Sequence, residues 1–506
     1  MKFHWKVLLW MLAGVIAGGV MQFSLAAPAW TGASWAPGEN GIVLTSTGGP
    51  TKKIASGTEV VAAISGRGSP EEERKALKTD EDIEFVLSKA ENGEVLWLET
   101  VTGELKPVAL AMDPTSPRAL WLAPFDFIAD IFMALLKMLI VPIILTSIIT
   151  GVTSVGEMKD LRRMGIKTAS YYVGTSLLAI ILGQVLVNVF QPGTGASLGL
   201  AFLDESSLAP EASFIDVLKR MIPQNIFASL GSNAAMLQVI FFALLFGFFI
   251  TQTASPHRER MTQFFESAFE VMLKLAQGVL ALLPYGVFAL MIRVVAKTGF
   301  VAFEPLLFYM GVVTLALLIH ACIVLPLILK FVGGISPIRW FKAVSPALMT
   351  AFSTSSSSMT LPVTMETVEK RGKVSNKVTS FTLPLGATIN MDGTALYECI
   401  GVIFLAQYYA SSSSFELTFA MQGLIVLMAL LASIGAAGIP SAGLVMMLTI
   451  LAALGLPLEG AALLLAVDRP LDMLRTVVNV WSDSCAAAVI ARTEGEEGPL
   501  LAGGVV

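Results

Sequence analysis

The sequence predicts an all-α polytopic membrane protein with eight transmembrane helices, two re-entrant hairpins and a small extracytoplasmic β-rich insertion. Two observations support this fold class. Of the 506 residues, 55% are hydrophobic and only 14% are charged, against about a quarter charged in an average soluble domain. Apolar stretches of about 20 residues, the length that crosses a bilayer as a helix, recur along most of the chain. With a mean hydropathy of +0.74, they predict a multi-pass protein of the cell membrane.

Charge and cysteine content argue against several other classes of protein. A formal net charge of −5 gives no support for nucleic-acid binding. Cys322, Cys399 and Cys485 lie in apolar segments without metal-ligand or disulfide spacing. We interpret them as buried small hydrophobes, and neither a disulfide framework nor a zinc site is indicated. The three histidines are far apart in the sequence and indicate no metal cluster.

Residues 7–26 form the first apolar segment and follow two lysines. Two interpretations compete: a transmembrane helix that stays in the protein, and a signal peptide that is cleaved near residue 24. We favour the retained helix, because an apolar core of about 20 residues is long for a signal peptide.

Residues 27–118 form a polar stretch that separates this segment from the next apolar one. Apolar and polar residues alternate in 58–64 and 94–100, as they do in strands with one buried face. We predict a small extracytoplasmic β-rich insertion; a disordered loop is the alternative.

Basic residues between the apolar segments give a consistent topology up to residue 342. They cluster after the predicted second, fourth and sixth spans, as the positive-inside rule requires of cytoplasmic loops. Residues 343–369 lie between basic residues on both sides, so this segment cannot cross once. We predict a re-entrant hairpin with the serine-rich run 353–358 at its tip, because irregular backbone at membrane depth needs a protein-lined cavity.

The segments that follow interrupt the helical pattern again. Residues 378–408 cross outward but contain Pro384, Gly386 and Gly393. Residues 416–455 carry glycine and proline near their middle, as a second hairpin would. Together these units form an inverted repeat, which is typical of secondary transporters. The predicted divisions are the first transmembrane helix at 1–26, the insertion at 27–118, the second helix at 119–157, the third at 158–192, the fourth and fifth at 193–299, the sixth at 300–335, hairpin 1 at 336–372, the broken seventh helix at 373–410, hairpin 2 at 411–456, the eighth helix at 457–495 and a cytoplasmic tail at 496–506.

Polar groups in the interrupted seventh helix are suited to bind a cation. An acidic residue in an apolar segment is costly and marks an ion or substrate path, and Asp392 stands in such a segment. We place the helix break around Gly393, within residues 390–394. The carbonyls freed there, at Gly386, Thr388 and Asn390, and the Asp392 carboxylate are hard oxygen ligands that suit an alkali or alkaline-earth cation. This cluster and those in hairpin 1 and the last helix predict that the chain moves a solute across a membrane.

The last span carries a polar stripe on one helix face, because its members are spaced by three, four and seven residues: Asp468, Asp472, Arg475, Thr476, Asn479 and Asp483. An arginine at membrane depth binds a carboxylate bidentately, and an aspartate one turn earlier can accept hydrogen bonds from an ammonium group. Asp472 and Arg475 would therefore suit a zwitterion with an extra carboxylate. Two alternatives stay open: the two side chains pair with each other, or the stripe is a structural ion-pair network without a ligand.

Ser355 to Ser358 offer hydroxyls and amides at the tip of hairpin 1. Such groups can hold a carboxylate, and a helix N-terminus beside them adds a favourable dipole. A flexible linker is the alternative for a serine run, but its position between two apolar arms argues against that.

At these residues the chain resembles the glutamate/aspartate transporter family, the dicarboxylate/amino-acid:cation symporters that include the eukaryotic excitatory amino acid transporters and the archaeal aspartate transporters. The resemblance covers nearly the whole chain except 27–118. The motifs that carry it are Lys137–Pro142, Tyr171–Ser176, Ser355–Met365, Phe381–Tyr397, Ala432–Pro440 and Asp472–Asn479.

The resemblance implies a homotrimer in the lipid bilayer that moves substrate by an elevator mechanism coupled to sodium. It assigns 119–157 and 193–299 to a static scaffold, and 158–192 and 300–335 to a mobile transport domain. The substrate-binding residues that carry over are Ser356, Ser357, Ser358, Thr394, Ile439, Pro440, Gly443, Asp472, Arg475, Thr476 and Asn479. The sodium ligands carry over as three sets: Gly386, Asn390, Asn479 and Asp483; Tyr172, Thr175, Ser176, Asn390 and Asp392; and Thr388, Met391, Ser433, Ile434 and Ala436.

Three residues refine what the resemblance implies about substrate and coupling. Arg475 favours an acidic substrate, and Asp472 favours an amino acid, L-glutamate or L-aspartate, over a plain dicarboxylate. Glu398 matches the proton-coupled eukaryotic members, and a carboxyl group in a low-dielectric site can carry a proton. Proton co-transport and potassium counter-transport are therefore further predictions. Against them, both positions where the family places a second arginine hold other residues here, Ser355 and Met473.

Three other functions compete with this one. A C4-dicarboxylate:cation symporter would share most of the site, and a passive anion channel would conduct without sodium. An intramembrane serine hydrolase is disfavoured, because no histidine or lysine lies within the polar clusters of the sequence to act as a base. We therefore expect no enzyme activity and no cofactor apart from the transported ions.

Overall fold

The structure is a computed structural model. It describes all residues of the chain except 1–2, 26–28, 32, 39–40, 47–53, 55, 66–72, 90–94, 110, 113, 157–161, 197, 199–220, 233–234, 301–302, 413–414, 436–441 and 500–506. The helices are α1 (Phe3–Ser24), α2 (Asp80–Lys89), α3 (Pro117–Gly156), α4 (Arg162–Phe190), α5 (Ile226–Leu230), α6 (Met236–Gln252), α7 (His257–Ala281), α8 (Leu283–Thr298), α9 (Phe303–Ile319), α10 (Leu325–Phe331), α11 (Pro337–Thr354), α12 (Ser357–Lys370), α13 (Asn376–Ile389), α14 (Asp392–Ser412), α15 (Phe419–Gly435), α16 (Ala442–Ala453) and α17 (Glu459–Thr493).

Several of these helices are long and apolar enough to cross a membrane. Within the described residues, four stretches qualify: Pro117–Thr153, Arg163–Phe190, Phe303–Phe331 and Asn376–Ser411. A fifth would join α7 to α8, which meet at a bend of 49°. The all-α multi-pass class is therefore confirmed in this coarse form, while the number of eight spans stays a prediction.

Residues 343–369 form a helical hairpin from α11 and α12. The chain reverses at Ser355, whose φ of +50° lies in the left-handed region and ends α11. The Ser356 side chain accepts a hydrogen bond from Met359 N and caps the start of α12. The serine run thus forms the tip, as the sequence predicts. Helices α15 and α16 would be the two arms of the predicted second hairpin, and the connecting residues 436–441 lie outside the described part of the chain.

The seventh segment is interrupted, two to three residues before Gly393. Helix α13 ends at Ile389 and α14 begins at Asp392, so Asn390 and Met391 form the break. The break therefore lies within the predicted stretch 390–394, but Gly393 is not part of it. That glycine lies in the first turn of α14, where a Cβ would come within 2.5 Å of the Arg475 carbonyl oxygen of α17. Close packing, and not a change of chain direction, requires glycine there.

Most of the described residues between 29 and 112 form β-strands. The strands are β1 (Ala29–Trp30), β2 (Ala33–Pro37), β3 (Ile42–Ser46), β4 (Thr58–Ser65), β5 (Glu73–Ala76), β6 (Val95–Thr100), β7 (Leu105–Ala109) and β8 (Ala111–Met112). All pairings are antiparallel, in the order β2-β3-β4-β6-β7, with β5 also on β4 and with β1 paired to β8. Both alternating segments form strands, β4 and β6, with their apolar side chains in a small separate core.

Most helices outside this insertion fall into two groups, and α15 and α16 contact members of both. Helix α3 packs against α6, α7 and α8, and α8 packs along α1. Helices α4, α9, α11, α12, α13, α14 and α17 pack mainly on one another around α14 and α17. Of the four membrane-length stretches, Asn376–Ser411 is the most enclosed, with 94% of its most apolar 18 residues buried. The polar residues therefore lie inside the second group. One cysteine differs from the prediction: Cys322 is exposed, whereas Cys399 and Cys485 are buried.

Candidate functional site

Three elements bring one group of predicted ligands together at the break in the seventh segment. We call five of these residues the cation cluster: Thr175 and Ser176 of α4, Asn390 and Asp392 at the break, and Asp483 of α17. All five side chains are buried. Because α13 stops at the break and α14 begins with Asp392, the carboxylate projects into the bundle and not along a helix surface.

Donor groups surround both oxygens of the Asp392 carboxylate. Oδ1 accepts from Ser176 Oγ at 2.7 Å and from Thr175 Oγ1 at 3.3 Å. Oδ2 accepts from Ser482 Oγ at 2.6 Å and lies 3.2 Å from His320 Nε2. Hydroxyl donors and an imidazole compensate the cost of burying this charge.

The other carboxylate of the cation cluster connects to the first through Asn390. The amide nitrogen of Asn390 donates to Asp483 Oδ1 at 2.8 Å and to Ser482 Oγ at 3.0 Å. A Cβ at Gly386 would come within 2.5 Å of Asp483 Oδ1 and 2.8 Å of the Tyr172 hydroxyl oxygen. Two of the three predicted sodium sets therefore share one compact group of oxygens.

Two members of this group were missed in the sequence. His320 begins a π-helical segment, His320–Val324, that interrupts the apolar span between α9 and α10; such bulges are frequent at functional sites. As an ionisable residue inside a span, His320 carried the signal that marks a functional site. His320 lies outside the polar clusters of the sequence, and packing brings it to one of them in the structure. Ser482 is adjacent to Asp483 in the sequence, but the predicted polar stripe of the last span did not include it.

The second polar group lies on α17. Arg475 donates to Asp472 Oδ1 from Nε at 2.8 Å and from Nη2 at 2.6 Å, which confirms the alternative in which the two pair with each other. Arg469 donates from Nη1 to Asp472 Oδ2 at 3.0 Å. Both arginines are at most 7% exposed. Arg475 Nη1 and Arg469 Nε are buried without a hydrogen-bond partner in the described part of the chain.

Two side chains of α14 lie close to this pair. The Tyr397 ring lies 5.3 Å from the Arg475 guanidinium carbon, and the Tyr397 hydroxyl donates to Asp468 Oδ1 at 2.8 Å. Glu398 is completely buried, and neither of its carboxyl oxygens has a hydrogen-bond partner among the described residues. Tyr397 therefore joins the acid Asp468 to the neighbourhood of Arg475.

Asn479 lies between the two groups. Its Oδ1 accepts from the backbone nitrogens of Gly393 at 2.8 Å and Thr394 at 3.3 Å, and its Nδ2 donates to Thr394 Oγ1 at 3.0 Å. Asn479 thus binds the first turn of α14. Thr476 is buried one turn earlier, with its hydroxyl bonded to the Asp472 carbonyl oxygen at 2.7 Å.

The serines of hairpin 1 differ in exposure. Ser356 and Ser357 are buried, whereas Ser358 is exposed. Ser355 is 1% exposed and its hydroxyl has no partner within the described structure. Ser355, which was absent from the predicted ligands, therefore has a free buried hydroxyl at the tip.

The third predicted sodium set is only partly described. Thr388 is half-buried, and Met391 and Ser433 are buried. Ala436, Ile439 and Pro440 lie outside the described residues, as does the side chain of Ile434. Gly443 of α16 lies directly against Arg475, because a Cβ at this position would overlap the guanidinium nitrogen Nη1.

The chemistry of these groups points to small ions and not to a transition metal. Among the described residues, no three His, Cys, Asp or Glu side chains converge. The cation cluster instead offers hydroxyl, amide and carboxylate oxygens, which are hard ligands.

Comparison with known proteins assigns the architecture to a family. The sequence profile of the sodium:dicarboxylate symporter family matches residues 100–493. The chain belongs to this family. It is therefore a multi-pass membrane transporter of the symporter type and not an enzyme.

Relatives of known name span bacteria and animals. The chain is 37% identical to a proton/glutamate-aspartate symporter of Escherichia coli, over 72% of this chain and 84% of that protein. It is 34% identical to a proton/sodium-glutamate symport protein of Geobacillus stearothermophilus, over 73% and 87% of the two chains. It is also 32% identical to excitatory amino acid transporter 3 of the mouse, over 74% and 80%.

Proposed function

We propose that the protein is a sodium-coupled symporter of acidic amino acids, L-glutamate or L-aspartate. The observation that carries this proposal is the cation cluster, where Asp392 and Asp483 share one enclosed group of hydroxyl and amide oxygens. Neither carboxylate has an arginine or lysine partner in the described part of the chain, so the two favour a bound cation, because hydrogen bonds alone leave their negative charge unneutralised. Hard oxygen ligands at a helix break suit sodium.

The acidic amino acid follows from the group on α17. An α-amino acid with a second carboxylate offers one ammonium group and two carboxylates. Asp472 can accept from the ammonium, and Arg475 can bind the side-chain carboxylate with two parallel hydrogen bonds. Arg475 Nη1, which has no hydrogen-bond partner among the described residues, is available for such a carboxylate. The names of the bacterial and mouse relatives, which include glutamate or amino acid transport, support the same substrate class.

Proton co-transport is a further part of the proposal, and Glu398 supports it. A carboxyl group that is buried without donors is held at lower cost as the neutral acid, so it can take up and release a proton as its surroundings change. Two bacterial relatives have names that include the proton. Potassium counter-transport would use the same carboxylate after proton release.

The two packing groups of helices support an elevator mechanism. The group around α3 would be the static scaffold and the group around α14 and α17 the moving domain, because the cation cluster and Asp472 lie wholly within the second group. A homotrimer is part of this proposal. Cross-linking of cysteine pairs across the two groups in both sidedness states would test the movement, and native mass spectrometry would test the trimer.

The central experiment is uptake of labelled L-aspartate into proteoliposomes under imposed Na⁺, H⁺ and K⁺ gradients. We expect accumulation that requires an inward sodium gradient and is increased by an inward proton gradient and by internal potassium. Uptake that ignores the sodium gradient would overturn the proposal. It would indicate a proton-coupled symporter if the proton gradient alone drives accumulation, or an anion channel if neither does.

A C4-dicarboxylate symporter is a second candidate, and one observation favours it. Two arginines already bind Asp472, the acid that an amino group would need. Competition of labelled aspartate uptake by succinate measures how far the site accepts an acid without an amino group.

A further inference from the structure

The polar stripe of α17 contains one acid, Asp468, that neither the cation cluster nor the substrate assignment uses. It is 2% exposed and lies two turns before Arg475 on the same helix. The Tyr397 hydroxyl of α14 donates to Asp468 Oδ1 at 2.8 Å, and the centre of the Tyr397 ring lies 5.3 Å from the Arg475 guanidinium carbon. The tyrosine therefore connects the acid, through its hydroxyl, with the arginine, through its ring.

The guanidinium of Arg475 is held on several sides. Asp472 Oδ1 accepts from its Nε and Nη2, and the Tyr397 ring lies within cation–π distance. The backbone of Gly443 lies against both groups, because a Cβ there would overlap Arg475 Nη1 and lie 3.3 Å from Tyr397 Cδ1. Nη1 itself is buried without a hydrogen-bond partner among the described residues. A substrate carboxylate can therefore bind at Nη1 while the contact with Asp472 stays in place.

We propose that Asp468 is a positioning residue for Arg475 and acts through Tyr397. The hydrogen bond to Asp468 fixes the tyrosine ring, and the ring fixes the guanidinium whose Nη1 binds the side-chain carboxylate of the substrate. Asp468 thereby increases the affinity for acidic substrates, although it is an acid itself. This inference rests on the proposed function, because it concerns how the same site recognises its substrate.

The physical basis is preorganisation of a long side chain. Arginine has many rotamers, and ordering such a side chain at the moment of binding reduces the affinity for a ligand. A guanidinium that is already held in its binding orientation avoids this cost. The hydroxyl of Tyr397 donates to a carboxylate, and such charge-assisted hydrogen bonds are the strong ones. The ring is therefore a fixed wall for Arg475.

A direct electrostatic effect of Asp468 would have the opposite sign. Its negative charge lies near the position of the substrate carboxylate, and like charges repel. Removal of the charge alone should therefore increase the affinity for L-aspartate. Positioning through Tyr397 predicts that removal of Asp468 decreases this affinity, so the direction of the change separates the two explanations.

The test is the KM for L-aspartate and the maximal rate of uptake into proteoliposomes at saturating sodium. Tyr397→Phe keeps the ring and removes the hydroxyl, so we expect KM to rise about five-fold with the maximal rate within about two-fold. Asp468→Leu removes the acceptor and should give the same rise. Asp468→Asn removes the charge but keeps an oxygen that accepts from the tyrosine, so its KM should stay within about two-fold of the original.

The double variant Tyr397→Phe, Asp468→Leu shows whether the two residues act together. If Asp468 acts through Tyr397, KM should rise about five-fold, as in each single variant, whereas independent effects would multiply to about 25-fold. Tyr285→Phe is the matched control. It removes the hydroxyl of a tyrosine of α8 that is 54% exposed and lies outside both polar groups, so KM should not change.

An unchanged or lowered KM in Tyr397→Phe would overturn the inference, as would a lowered KM in Asp468→Leu or multiplied effects in the double variant. If Asp468→Leu does not accumulate in the membrane, Tyr397→Phe and Asp468→Asn still give the rise and its absence. None of these results affects the proposed function as long as uptake by the unchanged protein requires the sodium gradient. Sodium-independent uptake would contradict the proposed function itself, whatever the KM values.

Discussion

Asp392 and Glu398 are two acids of the same helix, both 0% exposed, in opposite surroundings. Asp392 has hydroxyl donors or an imidazole at each of its oxygens. Glu398, fewer than two turns further along α14, has a donor at neither oxygen in the described structure. Burial is therefore the same for both, and the supply of donors differs.

The comparison shows that hydrogen-bond donors, more than the degree of burial, determine which charge state a buried carboxyl group adopts. A carboxylate whose oxygens accept several hydrogen bonds is held as an anion and can bind a cation without a large rearrangement. A carboxyl group without donors is stable mainly as the neutral acid or beside a new partner. We therefore assign the constant negative charge to Asp392 and the variable one to Glu398.

The largest expected effect is that of Asp392→Asn. The amide removes the charge that a cation requires and places donor hydrogens among the donors of Ser176 and Ser482. We expect the sodium concentration for half-maximal aspartate uptake to rise by more than about 100-fold, since removing one partner of a buried charged site costs several kcal/mol. The measurement is initial uptake rate against external sodium.

Ser176→Ala is the matched control for this change, because it removes one of the donors and leaves the charge. We expect a smaller rise, about ten-fold, as is typical for loss of a supporting hydrogen bond at a metal ligand. Sodium dependence within about three-fold of the original in Asp392→Asn would contradict the assignment of the constant charge to Asp392.

Glu398→Gln should remove the response to protons and potassium and keep the response to sodium. The amide cannot release a proton, so uptake should become insensitive to an imposed proton gradient and to internal potassium. Exchange of labelled for unlabelled aspartate in sodium should continue. Glu366→Gln, which changes an exposed acid that is paired with Lys370 on α12, is the control and should behave as the unchanged protein does. If uptake by Glu398→Gln still responds to the proton gradient, Glu398 is not the residue that couples protons to transport.

Variants of His320 test whether a single hydrogen-bond donor to Asp392 contributes to sodium binding. The imidazole Nε2 lies 3.2 Å from Asp392 Oδ2, and Nδ1 has no partner among the described residues, so the tautomer that donates from Nε2 fits this contact. We expect His320→Leu to raise the half-saturating sodium concentration about ten-fold. His320→Gln keeps an N–H donor, so its half-saturating sodium concentration should lie close to that of the unchanged protein. Equal effects of the two variants would show that packing, and not the hydrogen bond, is what His320 supplies.

Much of the site was predictable because its chemistry is local in the sequence. The hairpin tip follows from serines between apolar arms, and the neighbours Asn390 and Asp392 follow from a break in an apolar segment. The pairing of Asp472 with Arg475 is an i, i+3 contact that spacing alone allows. Such features need no knowledge of how distant segments pack.

What could not be predicted depends on packing between segments. His320 reaches Asp392 across 72 residues through a π-helical bulge, for which spacing provides no rule. Gly393 looked like a helix breaker, but its function depends on the approach of α17, which is visible only in three dimensions. Arg469 lies three residues before Asp472, a spacing that allows their contact, but it was not among the predicted site residues.

A third acid, Glu494, extends the comparison to the solvent-facing end of the same bundle and should show the smallest effect. Arg163 Nη2 and Lys167 Nζ of α4 bind its two oxygens at 2.5 and 2.6 Å. The hydrogen bond from Arg163, followed by that from Lys167, holds the pKa of Glu494 below its ordinary value of 4.5. A lowered pKa in the folded protein means that this contact stabilises the fold above about pH 4.5 and is lost as pH falls through the folded-state value.

Glu494→Gln should therefore lower the melting temperature of the purified protein at pH 7, by about 2 °C or less, because exposed ion pairs contribute little. The difference from the unchanged protein should disappear below the folded-state pKa, where Glu494 is protonated in both folded and unfolded chains. Thermal unfolding at a series of pH values from 3 to 8 measures both. If the difference in melting temperature is undiminished at pH 3, the packing of the Glu494 side chain, and not its charge, stabilises the contact between α4 and the end of α17. For this acid, unlike Asp392 and Glu398, water can replace the donors, and that is why its removal should matter least.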